Sequence, residues 1–122
     1  MLTGKFTVKM RTPASLGDFA HLTFDKTFEG ELSGTSVVQM LSAGDPKTGN
    51  AAYVAMEKFT GTVQGRTGSF CMQQTGVMDG GKPSLQIAVV PGASTGELVS
   101  LKGTLTIEVT QGQHWYHADF TL

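Results

Sequence analysis

Between Tyr53 and Gly76 apolar and polar residues alternate more regularly than anywhere else in the chain. Tyr53, Ala55, Glu57, Phe59, Gly61 and Val63 share one parity, and Val54, Met56, Lys58, Thr60, Thr62 and Gln64 share the other. A period of two marks a strand with one face buried. Gly65-Arg66-Thr67-Gly68 supplies a turn, after which Phe70, Met72, Gln74 and Gly76 return on the apolar side, opposite Ser69, Cys71, Gln73 and Thr75. These two runs predict an antiparallel hairpin around which the other segments are arranged.

The same period recurs on both sides of it. Phe6, Val8 and Met10 alternate with Lys5, Thr7, Lys9 and Arg11 until Pro13 ends the run. From Phe19 to Phe28, Leu22, Phe24 and Phe28 face one way, and Lys26 interrupts that face, which suits a position at a barrel rim. Glu29-Gly30-Glu31 turns the chain into Leu32 to Leu41, where Val37-Val38 and Met40-Leu41 blur the two faces, a pattern suited to cover on both sides. Ser42 to Asn50 gathers Gly, Asp, Pro, Thr and Asn and predicts a loop. Asp79-Gly80-Gly81-Lys82-Pro83 predicts a second turn, leading to Leu85, Ile87 and Val89 and then Pro91-Gly92. Two last runs carry Leu101, Leu105, Ile107 and Val109, and then Tyr116, Ala118 and Phe120, on their apolar faces; the first of them is expected to begin at Leu98. About eight strands joined by connections too short for a crossover helix describe an all-β meander that closes into an antiparallel barrel, one domain over residues 1–122.

Composition agrees with that class and removes several functions. About a quarter of the residues are Phe, Leu, Ile or Val, enough for a chain of this low charge to fold. Sixteen Gly and as many Thr favour short strands and tight turns over helices. Nine basic and ten acidic residues give a net charge of −1, so no electrostatic footprint for nucleic acid exists. No apolar run reaches the length that crosses a membrane, and the first residues lack a signal-peptide pattern. The lone Cys71 has no partner for an internal disulfide. A soluble cytoplasmic protein is the expectation.

Three groups of residues carry a more specific likeness. They are Glu57-Lys58-Phe59 with Gly61, Gly65 to Phe70 and Thr75-Gly76; Val89 to Leu98; and His114-Trp115-Tyr116-His117-Ala118-Asp119-Phe120. In these the chain resembles a bacterial family of small proteins, domain of unknown function 3224, over most of its length. The resemblance implies a closed antiparallel barrel similar to that of allene oxide cyclases, and it brings no established activity. Members of this type tend to carry His where Gln74 stands; Gln offers only neutral hydrogen bonds.

Glu57 is the sharpest candidate for chemistry, because its parity points it into the barrel. A buried carboxylate is costly unless paired, and a desolvated one is suited to acid or base work. The structural alternative is an ion pair with Arg66 or Lys26, or a bond to a turn amide, and ordinary ion-pair networks favour it about two to one. Tyr53, Phe70, Met72, Gln74 and Tyr116 share its face and would line an apolar cavity with polar handles, although a barrel of eight strands is also narrow enough to be filled by side chains. Gly92-Ala93-Ser94-Thr95-Gly96 has the spacing of a nucleophile elbow but no helix to follow it, so it reads as a turn. His114 and His117, three apart on a strand, point to opposite faces and cannot chelate one ion. No metal or cofactor is expected. Two functions remain: a barrel that binds a small apolar ligand or a protein partner, and an isomerase or cyclase in which Glu57 shifts a proton on a lipophilic substrate. The first is preferred. Val54 and Met56, on the outer face, add the expectation of a homo-oligomer.

Overall fold

A computed structural model describes all 122 residues. Its strands are β1 (Leu2–Met10), β2 (Ala14–Leu16), β3 (Phe19–Gly30), β4 (Leu32–Asp45), β5 (Asn50–Val63), β6 (Arg66–Asp79), β7 (Lys82–Val89), β8 (Thr95–Gly96), β9 (Lys102–Thr110) and β10 (Gln113–Thr121). Eight of them close a ring in the order β1, β10, β9, β7, β6, β5, β4, β3, and β1 again, every pairing antiparallel. The short β2 and β8 hang on β3 and β6. The expected meander barrel is present; the two short strands carried no readable period. No helix is long and apolar enough to cross a membrane.

Parity behaves as the pattern predicts in the central hairpin. Ala55, Glu57, Phe59 and Val63 are buried, while Val54, Met56, Lys58 and Thr60 are exposed. In β4 only the even residues turn inward: Val38 is buried and Val37 is exposed, so the strand is covered on one side alone. The blurred pattern came from apolar residues on its outer face. The predicted loop at Ser42 to Asn50 is also shorter than expected. Strand pairing continues to Asp45 opposite Asn50, leaving a single turn over Pro46–Thr48. Asp45 makes this possible by accepting the Lys47 N–H at 2.9 Å, and Gly49 leaves the turn at φ 84°.

One end of the barrel is packed solid. Phe6, Phe28, Phe59, Phe70 and Phe120 form a continuous aromatic column with successive ring centroids 4.9–5.6 Å apart, a spacing that suits offset and edge contacts. Leu98 is wholly buried beneath it. It sits not in a strand, as its run suggested, but in the turn before β9, where it plugs the end. Tyr116 fastens the same end: its hydroxyl accepts the Leu32 N–H at 2.8 Å and donates to the Glu29 carbonyl at 2.9 Å, holding the β3–β4 turn. Gly34, Gly61, Gly68 and Gly96 lie in one row across β4, β5, β6 and β8. A Cβ on Gly61 would strike the Ser33 carbonyl and the Gly34 Cα, so this row is a crease where backbones approach too closely for side chains.

The other end is open. β7 and β9 are bridged at one residue pair, Ala88–Thr104, and beyond it the β6–β7 and β9–β10 hairpins have no further rungs between them. Leu85 and Val109 have inward parity yet are 43% and 63% exposed, as a parted seam requires. Pro83 is tolerated in β7 for the same reason, since an edge without a neighbour does not need its missing N–H.

Candidate functional site

A polar belt crosses the middle of the barrel and separates the packed end from the open one. Four consecutive strands contribute one residue each: Lys26 from β3, Ser36 from β4, Glu57 from β5 and Gln74 from β6. Glu57 is at the centre, 1% exposed. Lys26 Nζ donates to its Oε1 at 3.1 Å, Gln74 Nε2 donates to the same oxygen at 2.5 Å, and Ser36 Oγ donates to Oε2 at 2.5 Å. The Lys26 ammonium also lies 5.0 Å from the centre of the Phe6 ring, a face that attracts cations. The Gln74 carbonyl accepts from Tyr53 Oη at 3.1 Å. No buried side-chain polar atom lacks a partner, which is the condition under which a buried ion pair is tolerated.

Lys26 is therefore interior, not at a rim. Its break in the apolar face is the other half of the Glu57 break, two strands away. Arg66, the other cation weighed as a partner, is exposed at the hairpin turn.

Above the belt, Tyr53 forms the floor of a cavity of about 420 Å³ that opens to solvent. Leu22, Phe24, Met40, Met78 and Leu85 line its wall together with Ser42. All have inward parity, but nothing fills the space between them. Val8 and Met10 continue the apolar wall on β1 and are exposed. The volume lies within the ~300–1,000 Å³ of small-molecule sites.

The residues proposed from the sequence divide between these layers. Tyr53 alone reaches the cavity. Glu57 and Gln74 are in the belt, and Phe70, Met72 and Tyr116 are buried in the packed core, so none of these five contributes to the wall. With three donors on its two oxygens and only 1% of its surface exposed, Glu57 is not part of the cavity wall. Leu22 and Phe24 on β3 were visible as one face of their run, whereas Met40 lay in the run with blurred faces and Ser42 in the predicted loop, and nothing in the sequence says which layer of a barrel is left empty. His114 packs on Phe6 with ring centroids 5.2 Å apart, whereas His117 faces outward to Glu108 at 2.9 Å. The two imidazoles diverge.

The model of a protein family described as protein of unknown function (DUF3224) matches residues 2–120. The chain belongs to the DUF3224 family. A solved structure of a DUF3224 protein of unknown function from Shewanella oneidensis MR-1 superposes with a TM-score of 0.90 at 42% identity, covering 98% of this chain and 94% of that one. No curated protein matches. At that identity the DUF3224 barrel is shared in detail, and the family description adds no activity to the geometry above.

Both tyrosines of this DUF3224 barrel should resist ionisation. Burial, and then the negative charge of Glu57, push the Tyr53 phenol above its ordinary range, and burial does the same for Tyr116. Stability linked to a raised pKa is fully present below the unfolded-state value, near ~10 for tyrosine, and is lost as pH rises through the folded-state values. Phenolate absorbance should therefore lag behind that of free tyrosine and rise together with the loss of circular dichroism. A two-tyrosine phenolate signal near pH ~10 in protein that is still folded would contradict this.

Proposed function

We propose that the protein is a container for one small apolar molecule, bound in the open end of the barrel above Tyr53. The observation that carries this reading is the inward-facing apolar wall that no side chain fills. Exposed apolar surface in a concave site is the ordinary mark of a ligand pocket. The parted seam between β7 and β9 supports it as well, because an elongated molecule can extend between Leu85 and Val109. A proton-shifting role for Glu57 is the weaker reading, since that carboxylate is sealed beneath the floor with both oxygens occupied.

Thermal unfolding in the presence of a panel of short alcohols, alkanes, terpenoids and fatty acids tests the proposal. At a concentration about 100 times its Kd, a ligand adds about 2.7 kcal/mol. At least one class should raise Tm, and Ser42→Trp, which fills the cavity from β4, should abolish the rise while leaving the unliganded Tm within a few degrees. If no class stabilises the wild type, or if Ser42→Trp responds equally, the cavity is not a binding site.

A further inference from the structure

The outer face of the central sheet carries a second feature that the cavity does not use. Leu16, Phe19, Val54, Met56 and Val77 are each between 48% and 58% exposed. Leu41 and Val54 form a ridge between two shallow apolar grooves, one bounded by Leu16 and Met56 and the other by Phe19 and Val77. We propose that this face is a two-fold interface between two copies of the chain, with the strands of the two sheets stacked antiparallel.

The register of charges selects a second copy over another partner. On the outward parity of β4, β5 and β6 the charged residues are Lys58 at one border and Asp45 and Asp79 at the other. Asp45 and Asn50 are cross-strand neighbours, and Asp79 follows Met78, the neighbour of Ala51, at the same level; Leu41, Val54 and Thr75 form a row four residues away, and Lys58 is four residues beyond Val54. A dyad lying along the Leu41–Val54–Thr75 row therefore places Lys58 over the partner's Asn50, between the partner's Asp45 and Asp79, and does so twice. The same operation sets Met56 over the partner's Ala52, large against small. Lys58 and Asp79 form no ion pair within the chain. The barrel surface is convex, and the three strands β4, β5 and β6 over these nine residues present at most roughly 14 by 27 Å of sheet, about 400 Å² in projection. That is about half of the ~800 Å² each partner of a standard-size complex buries, which makes the contact a small, concentration-dependent one.

Sedimentation equilibrium of the full chain at micromolar concentration should give twice the 12.9 kDa chain mass. Val54→Arg, at an exposed position, should yield a folded monomer. Lys58→Glu should weaken the dimer at least about tenfold by placing like charges together, and Lys58→Glu with Asp79→Lys should restore most of the loss. A wild-type monomer would overturn the proposal and leave the face to a different partner. A dimer that survives Val54→Arg would place the interface elsewhere, and a dimer indifferent to Lys58→Glu would overturn the register.

Discussion

Glu57→Gln is expected to destabilise the barrel by about 3–5 kcal/mol, the cost of leaving one member of a buried pair without its partner. The substitution keeps volume and shape, so packing is not the source of the loss. Hydrogen bonding largely survives too: the new amide oxygen can serve Lys26 and Gln74, and Ser36 can rotate its hydroxyl to accept from the new amide nitrogen. What remains is the Lys26 ammonium, buried between strands with no opposite charge. In a domain of this size the loss corresponds to a fall in Tm of roughly 10–20 °C. Lys26→Met in the Glu57→Gln background should recover most of it, because an uncharged belt no longer carries the desolvation cost. Denaturant titration of the two single variants and the double variant measures the coupling. Two single effects that simply add in the double variant would show that Lys26 and Glu57 do not compensate each other.

Gly61→Ala is expected to cost about 2–3 kcal/mol, although it adds one methyl group. Gly61 has φ +156°, and the added Cβ meets the Ser33 carbonyl and the Gly34 Cα. Both are backbone atoms of the neighbouring strand, so no rotamer change relieves the contact; the crease itself must open. Gly65 provides the control. It has φ +81° and nothing within reach of an added Cβ, so Gly65→Ala should show only the strain of a left-handed turn, about 1 kcal/mol. Equal losses from urea titration of the two variants would mean that φ alone, and not the close approach of strands, explains Gly61.

The fold was legible because strict alternation from Tyr53 to Gly76, and again in β9 and β10, assigns a face to each residue without reference to any other part of the chain. β2 and β8 escaped notice because two or three residues cannot display a period. The site was less legible, for a reason seen in Lys26 and Glu57. Each is a polar interruption of an apolar face: Lys26 alone suggests a rim, and Glu57 alone suggests an acid or base or, with more weight, an ion pair with Arg66 or Lys26 or a bond to a turn amide, without selecting the partner. Their meeting depends on the stagger of β3, β4 and β5, a property of the sheet that local pattern does not encode. Leu85 shows the same limit. Its parity correctly points it inward, yet it is exposed because β7 and β9 part company, and that depends on how two hairpins splay.

β1 pairs with β3 along one edge and with β10 along the other, Leu2 lying opposite Ala118. Most of the other joints in the ring link strands that follow closely in the chain, so they can form as soon as each hairpin exists. The β1–β10 joint unites opposite ends of the chain and carries the largest loop-closure entropy of the ring. During synthesis, a curved sheet from β1 through β7 can assemble while one edge of β1 stays bare, exposed to solvent and to other nascent chains until β10 emerges. Completion of the ring is then expected to come last in folding, since this joint has the largest sequence separation of any in the barrel.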